Sequence, residues 1–249
     1  MAVRAAHELR DGEVVFVGIG LPNLACNLAR ATHAPKLVLI YESGAVGAVP
    51  ERLPVSIGDP ALVTGSLAVA SMADVFQFYL QGGRIGVGFL GGAQIDRYGN
   101  INSTVIGPYD HPKVRLPGSG GACEIAIHAK RVIAVAPLSP RSFPAAVDFI
   151  TSPGQNGKYG TRASMRLPGA GPVRVVTDMG ILEPSPIDGE LELVGIYPGI
   201  DPEDAKKKAG WPLRSAPNLS VLPPPTEHEL HLLRDVLDPN HLYIGKRDA

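Results

Sequence analysis

The sequence predicts an α/β protein built on an open, largely parallel sheet flanked by helices. Three observations predict it. Short apolar runs such as "EVVFVG", "KLVLIY" and "RVIAVA" are continuous rather than alternating, as strands covered on both faces are. Helical stretches separate these runs, and strand-helix alternation gives a parallel sheet. Glycine and proline, 29 and 24 of 249 residues, punctuate the chain between apolar segments. That pattern belongs to many short turns, not to disorder.

Taken in order, Val3 to Arg10 reads as a short helix and Glu13 to Gly18 as the first buried strand. "GIGLPN" follows, then a helix over Leu24 to Ala31 and a second strand in "KLVLIY". Pro54, Gly58 and Pro60 make residues 51 to 65 a loop. A helix is expected from Leu67 to Leu80, closed by Gly82-Gly83. "RIGVGFL" is the third strand. In "GGAQIDRYGNINSTVIG", Tyr98-Gly99-Asn100 supplies turn residues between two alternating stretches, which predicts a hairpin. "GSGG", Gly118 to Gly121, opens the helix "ACEIAIHA". "RVIAVA" and "VRVVTD" are further strands, and the alternation of "ELELVGIY" suits a strand near a sheet edge. Asp201 and Pro202 start a late helix that Gly210 ends. Thr226 and Glu229 form a capping box, with Pro239 beyond the helix end. Without a low-complexity linker or an internal repeat, residues 1–249 read as one domain with a small C-terminal helical extension.

Composition narrows the function. Charged residues are 19% and the net charge is −1, which gives no electrostatic footprint for nucleic acid or an anionic membrane. No apolar run approaches the roughly 18 residues a bilayer-spanning helix needs, and the N-terminus has no signal-peptide core. Cys26 and Cys123 are two distant cysteines in apolar helical surroundings. They suit a reduced cytoplasmic protein better than a disulfide framework or a metal site. The expectation is a soluble cytoplasmic protein with no bound metal and no resident cofactor.

The chemistry-bearing positions are few. Glu42 follows the strand "VLIY" directly, with Ser43 and Gly44 after it. In parallel sheets, ligands gather at the carboxyl ends of strands, so a carboxylate there faces the crevice. A surface pair with an arginine, or an N-cap, would explain it equally well locally. The glycine loops "GIG" (Gly18 to Gly20) and "GSGG" expose N–H groups that can cradle an anion, or are simply tight turns. "GIGLPN" is not the dinucleotide fingerprint, because its third glycine is missing. Gln94, Asp96, Asn100 and Asn102 alternate along the hairpin, so a side-chain amide there could donate to a reacting carbonyl; a solvated hairpin is the other reading. His228 and His231, one turn apart, suit a solvated helix face, and no "GxSxG" elbow occurs.

Together, "GIGLPN", "KLVLIYESG", "GGAQIDRYGNINSTVIG", "GSGGA", "DFITSPG", "VVTDMGIL" and "GIYPGIDPED" occur in an order that resembles the B (β) subunit of class I CoA-transferases of the glutaconate type. The resemblance runs over nearly the whole chain. It implies a CoA-transferase-like fold, and it implies that Glu42, in its "ESG" setting, is the catalytic nucleophile toward an acyl-CoA. Acyl transfer of that kind needs an oxyanion hole, for which Gln94, Gly118, Gly120 and Gly121 are the candidates, with weaker CoA-contact candidates at Gly91, Gly92 and Asn100. Arg97, Lys113 and Arg115 are candidates for CoA phosphates, or ordinary surface charge. Coenzyme A would be a substrate. A homologous α-subunit carrying a "GxGGF"-like loop, a loop absent here, would complete the enzyme as an α2β2 assembly. An acyl-CoA hydrolase or decarboxylase on the same fold is the alternative; such relatives lack this glutamate.

Overall fold

The computed structural model describes residues 1–245. The chain forms two compact units, one of Met1–Phe89 with the chain from Pro225 onward, the other of Leu90–Pro224.

The first unit begins with α1 (Ala2–His7), which buries Ala2, Val3, Ala5 and Ala6. Strand β1 (Val14–Phe16) leads through Gly18-Ile19-Gly20 into α2 (Leu21–Ala31). Pro22 sits in the first turn of α2, where its missing N–H costs nothing, so the helix starts before the Leu24 expected from the sequence. Strand β2 (Val38–Ile40) pairs in parallel with β1, Phe16 opposite Ile40. Next comes β3 (Ala45–Val46), then a 3-10 turn over Pro60–Val63, then β4 (Ala68–Val69).

β4 replaces the start of the helix expected from Leu67. Ala45 pairs with Val69 and Val46 with Ala68, so backbone pairing claims this stretch. The helix waits for Ser71, whose hydroxyl accepts the Asp74 N–H while Asp74 reaches back to the Ser71 amide. From there α3 (Met72–Asp74) runs on as a wider π-helical stretch, Val75–Gln81. Strand β5 (Val87–Leu90) pairs in parallel with β1, and the strand order is β5-β1-β2-β3-β4.

The second unit opens with two small hairpins: β6 (Gln94–Ile95) with β7 (Ile101–Asn102), and β8 (Val105–Ile106) with β9 (Val114–Arg115). Helix α4 (Ala122–His128) precedes β10 (Arg131–Val135). The strands β11 (Pro172–Val176), β12 (Gly180–Pro184) and β13 (Leu191–Ile196) come next. Helix α5 (Pro202–Lys206) and β14 (Arg214–Val221) complete the unit, in the strand order β14-β13-β12-β11-β10. The β10–β11 and β13–β14 pairs are parallel, and the β11-β12-β13 meander between them is antiparallel. β13 alternates buried and half-buried residues and lies one strand from the edge, as "ELELVGIY" suggests. The edge strand β14 carries Pro217, which falls at the register shift between the Ser215 and Ser220 pairings, where the ladder with β13 is interrupted and a missing N–H is tolerated.

The chain returns to the first unit with α6 (Glu227–His231), which continues as a π-helical stretch, Leu232–Leu237. The expected Thr226–Glu229 capping box is present. Glu229 also pairs with His7 of α1, and the Tyr243 hydroxyl donates to the Pro54 carbonyl at 2.6 Å. Thus the C-terminal segment packs on the N-terminal one.

Candidate functional site

β1 and β2 run in parallel, so the loops leaving their carboxyl ends are neighbours. One loop is Gly18–Gly20. The other is the turn Tyr41–Gly44, which holds Glu42. The Val17 N–H donates to the Ile40 carbonyl at 3.0 Å, which fixes the two exits side by side. The Glu42 turn is closed twice: Gly44 N–H donates to the Tyr41 carbonyl at 2.9 Å and Tyr41 N–H to the Ala45 carbonyl at 3.0 Å. Gly44 has φ +107°, a conformation side chains rarely adopt. Its carbonyl accepts the Ala70 N–H at 2.9 Å, which ties the turn to β4.

Glu42 is half-buried at the tip of this turn. Among the described residues its carboxylate forms no ion pair, so the surface-pair reading of this position does not hold. An unpaired carboxylate at a strand exit is free to meet a substrate carbonyl. In the sequence alone, "GIG" is a weak anion loop with nothing beside it. The signal for its proximity to Glu42 is the parallel pairing of the two apolar runs, which no local motif encodes.

The other predicted residues belong to the second unit. The polar alternation of the hairpin is a buried network, not a solvated face. Gln94 Oε1 accepts from Asn102 Nδ2 at 2.8 Å and from the Asp148 N–H at 3.0 Å, while Gln94 Nε2 donates to Asp148 at 3.1 Å. The carbonyl end is therefore occupied, and Nε2 is the donor end of the amide. Asp96 accepts from the Tyr98 and Asn100 N–H groups, both at 3.0 Å, and from Asn100 Nδ2. Burial raises the Asp96 carboxyl above its usual range, against these bonds.

Asn100, only 2% exposed, also donates to the Asn156 carbonyl and accepts the Gly154 N–H, both at 2.8 Å. Its amide is engaged in holding this turn. Gly92 is likewise a packing glycine, since a Cβ there would lie 2.4 Å from Ile101 Cγ2. Gly91 is exposed, with room for a Cβ at 3.6 Å from the Val135 carbonyl.

The "GSGG" loop hangs from Ser103: Gly118 N–H donates to the Ser103 carbonyl at 2.8 Å, and Ser103 Oγ donates to the Gly118 carbonyl at 2.9 Å. Gly118 and Gly120 have φ +104° and +47°, and open space lies where each Cβ would be. Gly121 is buried at the start of α4. Arg97 is committed to the Ala145 carbonyl at 3.1 Å, and Arg115 stacks on Tyr109 at 4.9 Å, so both have local explanations. Lys113 is exposed in the second hairpin.

The chain matches the family described as Coenzyme A transferase over residues 1–208. It is 49% identical over 234 residues to the B (β) subunit of 3-oxoadipate CoA-transferase from Pseudomonas knackmussii, covering 94% of this chain and 90% of that one. It is 36% identical over 248 residues to the corresponding B (β) chain of glutaconate CoA-transferase from Acidaminococcus fermentans, covering 98% and 92%. The crystal structure of glutaconate coenzyme A-transferase from Acidaminococcus fermentans superposes with a TM-score of 0.90 at 35% identity, over 98% of this chain and 95% of that one. Motif order, fold and sequence identity agree over nearly the full length: the chain belongs to the coenzyme A transferase family.

Proposed function

We propose that this chain is the β-subunit of a heteromeric, cytoplasmic CoA-transferase that moves CoA between an acyl-CoA and a carboxylic acid through a covalent glutamyl-CoA thioester on Glu42. The observation that carries the reading is Glu42 itself, at the carboxyl end of a parallel strand and without an ion pair among the described residues.

The steps balance without a cofactor. A Glu42 carboxylate oxygen attacks the thioester carbonyl, the C–S bond breaks, and an acyl-glutamyl anhydride and CoA thiolate remain. The thiolate attacks the glutamyl carbonyl and releases the donor's acid. The acceptor carboxylate then attacks the glutamyl-CoA thioester, and the same two steps in reverse return CoA on the acceptor. Anhydride and thioester are of similar energy, so each step stays reversible. Negative charge develops on a carbonyl oxygen at each addition and requires N–H donors. Gly118, Gly120 and Gly121 carry backbone amides in an open loop, and Gln94 presents a fixed Nε2. Gly91, Gly92 and Asn100 are the weaker CoA-contact candidates.

The similarity to enzymes of 3-oxoadipate and glutaconate supports a dicarboxylic acid as one substrate. Those relatives are each named as one subunit of an enzyme, which supports a partner subunit here; the assembly proposed holds two copies of each chain. The exposed apolar side chains Val49, Val63, Leu67, Val69 and Met72, around the β3–β4 edge beside the Glu42 turn, supply a surface for it.

The test is to incubate the assembled enzyme with acyl-CoA and no acceptor. Borohydride should trap the thioester as an alcohol and hydroxylamine as a hydroxamate, in the peptide containing "YESG". Product formation with no adduct at Glu42 would exclude the covalent route and leave the hydrolase or decarboxylase reading.

A further inference from the structure

Directly before Glu42, Tyr41 is fully buried, yet it carries a hydroxyl. Asn23 Nδ2 of α2 donates to that hydroxyl at 2.5 Å, and Asn23 is itself fully buried. One turn later, Asn27 Nδ2 donates to both the Asn23 carbonyl, at 2.9 Å, and Asn23 Oδ1, at 3.0 Å. Asn23 Oδ1 is thereby held, which leaves Nδ2 aimed at Tyr41. A phenylalanine and a leucine would fill the same space without desolvating two polar groups, and burying such groups costs free energy unless they bond. The pair therefore does something that apolar packing does not: it fixes a direction. It joins the first turn of α2, just after the Gly18–Gly20 loop, to the residue that launches the Glu42 turn.

We propose that the Asn23–Tyr41 hydrogen bond positions the Glu42 carboxylate for attack, so that Asn23 and Tyr41 are positioning residues for the transfer reaction. This rests on Glu42 being the nucleophile. The tie restrains the Cα of Tyr41, one residue before Glu42, against α2, while the Gly44–Ala70 bond restrains the other side of the turn. A turn held at both ends keeps its tip within the fraction of an ångström that nucleophilic attack demands. Burial also pushes the Tyr41 phenol well above its ordinary range, with Cys26 nearby adding to it, so the hydroxyl that accepts the Asn23 bond stays neutral.

The experiment uses the assembled enzyme. Tyr41→Phe removes one oxygen and keeps the ring. The expected result is a fall in kcat of about 10-fold, from a displacement well short of the 1 Å that costs about 100-fold. KM for acyl-CoA should stay within about 2-fold, and the rate of adduct formation at Glu42 should fall by the same factor as kcat. A double variant, Tyr41→Phe with Asn23→Leu, removes both polar partners while filling the same space, and should melt close to the native enzyme because neither buried partner of the bond is left unpaired. Its kcat should remain low. Tyr41→Phe with native kcat and a native adduct rate overturns the proposal. So does a double variant whose rate recovers together with its melting temperature, since the link then serves the fold alone. Failure of the native enzyme to form any adduct at Glu42 removes the nucleophile reading itself, a result distinguishable from both.

Discussion

A β-carbon on Gly44 would lie 2.0 Å from the carbonyl oxygen of Ala70. No rotamer relieves that contact, because the backbone alone fixes the position of a Cβ and the oxygen is itself a backbone atom. The turn that carries Glu42 is thus pressed against β4 at a spot only glycine can occupy, and Gly44 also holds φ +107°. Gly44→Ala should destabilise the protein by at least about 2 kcal/mol, from strain and collision together. It should also abolish transfer, because relief requires the turn to move. Thermal unfolding and a transfer assay on the same preparation check both.

Glu42→Ala and Glu42→Gln should remove transfer while leaving acyl-CoA binding near native. Glu42→Asp keeps the charge but withdraws it by one bond length, and a misplacement of about 1 Å costs about 100-fold in rate. Because Glu42 forms no ion pair among the described residues, none of the three should shift the melting temperature by more than about 2 °C. Steady-state kinetics beside acyl-CoA titration separates the outcomes.

Gly120 differs from Gly44. Its φ of +47° strains a side chain, yet nothing lies within 4 Å of its Cβ position. Gly120→Val should therefore yield folded protein in which the loop amides are displaced. If those amides stabilise the oxyanion, turnover falls on the order of 100- to 1000-fold. Native turnover in a folded Gly120→Val enzyme would remove this loop from the mechanism.

Asp59 anchors the loop after the Glu42 hairpin. It accepts two bonds from Arg52, at 2.7 and 2.8 Å, and one each from the Val55 and Ala61 N–H groups, both at 3.0 Å. The Arg52 bonds first, then the backbone bonds, hold its carboxyl far below the ordinary 3.8. A depressed carboxyl stabilises the fold above its unfolded pKa, and that stabilisation is lost as pH falls through the folded value. Asp59→Ala should lower the melting temperature at pH 7, and the gap to the native protein should narrow steadily below about pH 4. Melting curves across about pH 2 to 7 read it directly.

Leu67 is 78% exposed and Val69 is 63% exposed on the β3–β4 edge. If this edge meets the partner subunit, Leu67→Lys and Val69→Lys should weaken association at least about 10-fold. The isolated chain should melt within about 2 °C of native, since both side chains already face water. Co-purification at falling concentration, with melting of the isolated chain, gives the answer.

What the sequence determined by itself is what local chemistry determines. The Thr226–Glu229 box, the Asp201-Pro202 start and the Tyr98-Gly99 turn were legible because each depends on bonds among residues within four positions. Glu42 stood out because a carboxylate ending a continuous apolar run is a local contradiction. Contacts at long range were not legible. The Ala68–Val69 segment looks helical until β3 claims its backbone, and a pairing partner more than 20 residues away leaves no local mark. Pro217 concealed β14, because only the finished sheet makes that strand an edge. For Gln94, Asp96, Asn100 and Asn102 the alternation left a donor amide and a solvated hairpin both open, because each residue is polar; tertiary contacts with Asp148, Gly154 and Asn156 bury them by giving every amide a partner. The same holds for Asn23 and Tyr41. Eighteen positions apart, each is unremarked alone, and only the packing of α2 against the end of β2 brings a donor to the hydroxyl beside Glu42.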